Sequence, residues 1–171
     1  MFALDKASEA NMLSDKVCDE FFFTWRWIPD GAFFCDDLGR FRAKSSAFDI
    51  RRDDQGKIKE PSASLFQLES EADDFLKGVA AIFGLLPFGK KTLLNSAVGA
   101  LSSSQFSDLK KDPLFRSVDG QCFFEIKVSE VQKNKKIIHW DLIYSKDDME
   151  GEIQALKTML ARICRCEPKP C

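Results

Sequence analysis

The chain has 171 residues, of which 44% are hydrophobic and 30% are charged, and its formal net charge is −2. This composition supplies enough apolar material for a folded core, so a wholly disordered chain is excluded. The 25 basic and 27 acidic residues are spread along the sequence. Because no basic stripe is present, the composition argues against a nucleic-acid partner.

A single histidine, His139, restricts the chemistry that the chain can perform. Histidine is the usual general base near neutral pH and a common metal ligand. One histidine cannot form a two-histidine metal site, and the phosphate-loop, dinucleotide, zinc-protease and serine-hydrolase motifs are absent from the sequence. We therefore expect no cofactor, and an enzyme is the less favoured interpretation.

The sequence carries no recognisable targeting or membrane segment. Residues 1–6 lack a basic stretch followed by an apolar one, so they do not resemble a signal peptide. The longest apolar run, 78–88, contains a proline and is shorter than the ~20 residues that span a membrane. We expect a cytoplasmic protein without a membrane span, although a leader removed ahead of Met1 stays an alternative. The predicted domain covers 1–163, and a cysteine-rich tail covers 164–171.

In chain order, the pattern first predicts a helix and then a strand. Apolar residues at helical spacing indicate a helix over 4–20. In 21–28 the apolar residues alternate, which places Trp25 and Trp27 on one face of a strand. Arg26 then falls on the other face, which we expect to be exposed.

Turn residues divide the next segment into short strands. The turns are rich in Pro, Asp and Gly and lie at 29–31, 36–39 and 53–56. We predict that 21–28 pairs with the strand after the first turn, with Trp27 opposite Phe33, because this register keeps apolar residues together. Cys35 and Cys122 are then expected to face the core.

The middle of the chain predicts two helices. Residues 61–69 are interpreted as a connection, and a capping box at 70–73 begins a helix that ends near Leu86. A second helix is predicted from 90 to about 102. A looser basic stretch over 106–115 follows it.

The 122–144 segment predicts a β-hairpin, because two runs alternate with matching apolar faces. Centring the loop on residue 133 places Lys127 opposite His139 and Glu125 opposite Asp141 on the polar face. The predicted core face consists of Phe124, Ile126, Val128, Ile138, Trp140 and Leu142.

A last helix is predicted from about 147 to 163, where apolar residues form one stripe. Strands, then helices, then strands again indicate the α+β class. We predict an antiparallel meander plus a C-terminal-half β-hairpin, with the helices packed on one face of the sheet.

His139 and Asp141 are the candidate pair for acid–base catalysis. Two residues apart on a strand, they point to the same face and lie roughly 7 Å apart. The spacing assigns no nucleophile, although Ser129 or a distant cysteine could serve. A small hydrolase or transferase that uses His139 with Asp141 or a cysteine nucleophile is therefore the alternative function.

The tail contains Cys164, Cys166 and Cys171. Three thiolates could bind Zn²⁺ or Cu(I), and Cys171 could instead form a disulfide with either of the other two. The paired C-x₂-C spacing of zinc sites is absent, and no histidine lies nearby in the sequence. We therefore expect reduced thiols and no metal.

An aromatic-rich chain of balanced charge without a catalytic motif favours a non-enzymatic protein-binding domain of the inhibitor, immunity or adaptor type. The bend after the first central helix places an aromatic residue beside cations, which is typical of an interface. The predicted partner-binding residues are Arg26, Phe88, Lys90 and Lys91. A small-ligand carrier with an aromatic pocket around Trp25 and Trp27 is a third interpretation.

Overall fold

The computed structural model describes residues 22–50, 54–55, 62–68, 75–86, 89, 93–144 and 150–170. Within these ranges the chain forms strands β1 (Phe23–Ile28), β2 (Phe33–Cys35), β3 (Phe41–Ala43), β4 (Ser62–Leu68), β5 (Ala97–Ser102), β6 (Phe124–Gln132), β7 (Ile137–Tyr144) and β8 (Arg165–Pro168). The α-helices are α1 (Phe75–Leu85), α2 (Ser103–Lys111) and α3 (Glu150–Ile163). Short 3₁₀ segments lie at Ser45–Phe48, Pro113–Phe115 and Lys133–Lys135. The predicted α+β class is confirmed.

Six of the strands form one antiparallel sheet in the order β6-β7-β4-β1-β5-β8, and β2 and β3 form a separate two-stranded sheet. The predicted pairing of Trp27 with Phe33 is wrong, because Trp27 lies opposite Val98 and Phe33 lies opposite Ala43. β1 has apolar residues on both faces, so its neighbouring strands must also be buried on both faces. β2 is not such a strand, since two of its three residues are exposed. One of them is Cys35, which was expected in the core.

Two strands come from segments for which the sequence predicted something else. β5 falls inside the predicted helix over 90–102, and every one of its residues is buried. A strand that is buried on both faces carries a continuous apolar run, which periodicity cannot distinguish from a buried helix. β4 replaces the predicted connection over 61–69 and pairs with both β1 and β7.

The helices confirm two predictions and correct a third. α1 and α3 lie within the predicted helices over 70–86 and 147–163. α2 lies where a loose stretch was predicted. A capping box begins this helix, in which the Gln105 N–H donates to the Ser102 hydroxyl and the Ser102 N–H donates to the Gln105 side chain. The predicted helix over 4–20 and the capping box at 70–73 lie outside the described residues. Among the described helices, none is long and apolar enough to cross a membrane.

Helices lie on both faces of the six-stranded sheet, where the sequence predicted one face. α1 packs on the face that carries Trp25 and Val98, which we call the α1 face. α2 and α3 pack on the opposite face, the α3 face, which carries Leu65 and Leu101. Both faces are apolar at the centre of the sheet, so each needs a covering layer.

The β6–β7 hairpin has the predicted faces but not the predicted register. All six residues of the predicted core face are buried. The register differs by two residues, so that Lys127 lies opposite Asp141 and Glu125 lies opposite Ile143. A β-bulge at Ser129 shifts the pairing further along the hairpin. The actual register avoids the acid-opposite-acid pair that the prediction required.

The C-terminal segment is part of the fold and not a separate tail. β8 pairs with β5, which places Cys166 opposite Gly99. Cys164 and Cys166 are both buried within the core on the α3 face. An ideal Cβ on Gly99 would lie 2.3 Å from the Cys164 sulfur, so glycine is what allows the two elements to approach so closely.

Candidate functional site

His139 projects from β7 on the α1 face, and its ring stacks on Phe66 with the ring centroids 5.2 Å apart. Its Nε2 atom is buried, has no hydrogen-bond partner among the described residues, and lies 4.0 Å from Asp141 Oδ1. That distance is too long for a hydrogen bond. The two side chains share a face as predicted, and they are 25% and 27% exposed.

Among the described residues, no hydroxyl or thiol forms a hydrogen bond with the His139 imidazole. The Ser129 hydroxyl donates to the His139 carbonyl oxygen at 3.1 Å, so it stabilises the backbone at the bulge. The strand neighbours place Ser64 opposite Asp141 and Glu130 opposite His139. This arrangement lacks the nucleophile–base contact that acyl or group transfer requires.

The thiols of Cys164 and Cys166 lie in an environment that suppresses their reactivity. Burial raises the pKa of the Cys164 thiol far above its usual range and raises the pKa of Cys166 to about 12. A protonated thiol is a poor nucleophile and a poor metal ligand. No group of three His, Cys, Asp or Glu side chains within the described ranges is placed to hold a metal ion. Cys171, the third predicted ligand, lies outside those ranges.

Arg26 is half-buried on the α3 face, where the sequence predicted an exposed face. Its Nε donates to the Ala47 carbonyl oxygen and one terminal nitrogen donates to that of Ser64, both at 2.8 Å. The guanidinium therefore connects the first 3₁₀ segment to β4. The other predicted partner-binding residues, Phe88, Lys90 and Lys91, lie outside the described residues.

The β2–β3 hairpin exposes large apolar side chains. Phe34 is 46% exposed and Leu38, in the turn, is 74% exposed. Phe34 lies opposite Arg42, and Arg40 follows the turn, so these groups lie close together. We call Phe34, Leu38, Arg40 and Arg42 the hairpin surface. The alternate residues Phe33 and Phe41 contact each other and pack against the core.

The Asp36 carboxylate fixes the turn of this hairpin and orients its two arginines. Its Oδ1 accepts hydrogen bonds from the backbone N–H groups of Leu38 and Arg40 at 3.0 and 2.9 Å. Its Oδ2 accepts from Nε of Arg40 at 2.9 Å and from Nε of Arg42 at 3.2 Å. Gly39 completes the turn with a φ of +75°. These contacts lower the pKa of Asp36 to about 2. The largest cause is the hydrogen bond from the Arg40 N–H, and the hydrogen bonds from the two guanidiniums lower the pKa further.

The two arginines keep free hydrogen-bonding capacity. Each uses its Nε on Asp36, and their terminal nitrogens make no hydrogen bond with a described residue. A guanidinium presents its donors in a planar fork that matches a carboxylate. The hairpin surface therefore combines two oriented carboxylate-binding groups with two exposed apolar side chains. The sequence indicated the turn, but not that one carboxylate holds both arginines.

Comparisons of the chain with protein-family models, with curated proteins and with solved structures give no match.

Proposed function

We propose that this chain is a non-enzymatic protein-binding domain, of the inhibitor, immunity or adaptor type, that acts through the hairpin surface. The observation that carries the proposal is the exposure of Phe34 and Leu38 beside two guanidiniums that Asp36 holds in place. Aromatic and arginine side chains are enriched among the residues that dominate interface energetics. We place this activity in the cytoplasm and expect no nucleic acid as its partner.

The chemistry of the hairpin surface defines the partner that it fits. The terminal nitrogens of Arg40 and Arg42 suit carboxylates on the partner, and Leu38 and Phe34 suit an apolar depression beside them. Because Asp36 already orders the turn and both arginines, binding requires little further loss of side-chain freedom. We therefore propose an acidic protein surface with an adjacent apolar pocket as the partner.

The two alternatives have weaker support. A hydrolase or transferase would need a nucleophile that contacts His139, and no described hydroxyl or thiol does so. A small-ligand carrier would need space around Trp25. However, an ideal Cβ on Gly78 of α1 would lie 2.7 Å from this ring, which also packs against Phe75.

A comparative capture experiment followed by a titration tests the proposal. The wild-type chain and the double variant Phe34→Ala/Leu38→Ser are used to capture proteins from native host lysate, and affinity for the purified partner is then measured. We expect the double variant to bind at least tenfold more weakly, about 1.4 kcal/mol. Leu114→Ser is the matched control, because Leu114 is 71% exposed on a different segment, and it should bind as the wild type does. Equal affinity of the wild type and the double variant would exclude the hairpin surface.

His139→Ala separates the binding proposal from the enzymatic alternative. Binding through the hairpin surface needs no proton transfer by the imidazole, so this variant should retain full affinity for the partner. If the purified protein turns over a substrate, and this substitution abolishes turnover while the fold is retained, the enzymatic alternative replaces our proposal.

A further inference from the structure

Strand β6 is an edge of the six-stranded sheet, and among the described residues no strand pairs with its outer side. An open edge presents backbone N–H and C=O groups that readily pair with another strand. The regular part of this edge runs from Phe124 to Val128, between the isolated bridge at Cys122 and the bulge at Ser129. Ile126 lies at its centre.

The opposite edge of the sheet is protected and offers no such site. β8 has only four residues and ends at Pro168, which has no backbone N–H to donate. The contrast identifies β6 as the edge to which a strand can add.

The side chains around Ile126 have a self-complementary pattern. Glu125 and Lys127 are exposed on the α1 face, one on each side of Ile126. Glu125 lies opposite Ile143 and forms no ion pair with a described residue, whereas Lys127 lies opposite Asp141. The acid therefore has no counterpart of opposite charge on β7.

We infer that β6 pairs antiparallel with β6 of a second copy of this chain, with the two-fold axis at Ile126. Each Glu125 then lies directly opposite the Lys127 of the other copy, and Phe124 lies opposite Val128. Opposite charges across neighbouring strands stabilise a sheet. Lys127 gains an acid on both sides, Asp141 within its own chain and Glu125 of the second copy.

The other symmetric registers are unfavourable. An axis at Glu125 or at Lys127 places two like charges directly opposite each other, which destabilises the pair. An axis between two residues pairs side chains that point to opposite faces of the sheet, which the pleat does not allow. Ile126 is therefore the centre that the charges and the pleat select.

This interface leaves the hairpin surface accessible. β3 contacts β8, so the β2–β3 hairpin lies at the end of the sheet opposite β6. A dimer formed through β6 would present two hairpin surfaces to partners, and two linked sites raise the overall avidity for a clustered partner. Pairing of two copies through β6 does not depend on the function proposed for the hairpin surface.

A charge-exchange experiment, measured by sedimentation equilibrium and native mass spectrometry, tests the pairing and its register. We expect the wild type to form a dimer, and Glu125→Lys and Lys127→Glu each to self-associate at least about tenfold more weakly, because each places like charges at both cross-copy positions. An equimolar mixture of the two variants restores both opposite-charge pairs, so it should form a heterodimer. Glu130→Lys, an exposed change beyond the regular segment, should leave self-association unchanged.

Lys127→Glu also places an acid opposite Asp141, so Lys127→Gln is the second variant if the first fails to fold. Mixed with Glu125→Lys, it should form a heterodimer in preference to either homodimer. A wild type that stays monomeric at its highest soluble concentration would overturn the inference. Dimers of the single charge variants as stable as those of the wild type, or a mixture without heterodimer, would also overturn it.

Discussion

The two sheets of this protein are stabilised in different ways. The six-stranded sheet is held by apolar side chains on both faces, such as Trp25 on the α1 face and Leu65 on the α3 face. The two-stranded hairpin packs Phe33 and Phe41 against the core, but the Asp36 carboxylate fixes its turn, and Phe34 and Leu38 stay exposed. Where polar contacts fix a turn, apolar side chains are not needed for the core and become available to a partner.

The largest expected effect is that of Trp140→Ala in the six-stranded sheet. Trp140 is 2% exposed, stacks on Phe22, and donates from Nε1 to the Gln67 side chain at 2.8 Å. Removing the ring leaves a cavity and leaves the Gln67 side-chain oxygen without this donor. The free energy of unfolding should therefore fall by about 3–5 kcal/mol. Denaturant titration measures this loss, and a loss below about 1 kcal/mol would contradict the burial of Trp140.

Truncation after Ile163 should have the next largest effect. It removes β8 and the buried Cys164 and Cys166, and it exposes the outer side of β5. We expect the free energy of unfolding to fall by about 2–4 kcal/mol, from lost burial and lost backbone hydrogen bonds. Stability equal to that of the full chain would show that the segment is an appendage, as the sequence suggested.

Two glycine substitutions test the close approach of β5 to the C-terminal segment. Gly99→Ala forces a methyl group within 2.3 Å of the Cys164 sulfur and should cost about 1–3 kcal/mol. Gly84→Ala is the matched control, because no atom lies within 4 Å of its Cβ position in α1, and it should stabilise the chain by about 0.5–1 kcal/mol. The two changes should therefore shift the thermal midpoint in opposite directions. Equal effects would contradict the packing at Gly99.

The smallest expected effect on global stability is that of protonating Asp36 in the hairpin at low pH. The folded pKa of Asp36, about 2, lies below its ordinary value of 3.8, so its contacts stabilise the hairpin above about pH 4. This contribution is lost as the pH falls through 2. NMR titration of the Leu38 and Arg40 amide protons should show a midpoint near 2 in the wild type and no such titration in Asp36→Asn. A wild-type midpoint at the ordinary value would contradict the role of Asp36.

The sequence predicted best the elements that have core on one side and solvent on the other. α3 and the faces of the β6–β7 hairpin each have one apolar and one polar side, which periodicity detects. β5 is buried on both sides, so it lost the alternation that would have distinguished it from a helix. The two-residue error in hairpin register arose because neither the loop geometry nor the bulge at Ser129 is visible in the pattern of apolar residues.

The candidate site was only partly predictable. The Asp36–Gly39 turn follows from its residue types. The convergence of both guanidiniums on one carboxylate depends on side-chain directions that spacing does not determine. The half-buried position of Arg26 depends on Ala47 and Ser64, which are distant in sequence.

Hydrogen exchange of the chain with and without its purified partner tests whether the hairpin surface is the binding site. We predict that the partner slows amide exchange in residues 33–43, with Leu38 and Arg40 in the turn among the protected positions. The α1 face around His139 should exchange at the same rate in both states. Protection confined to that face, with exchange in the hairpin unchanged, would show that the partner does not bind the hairpin surface.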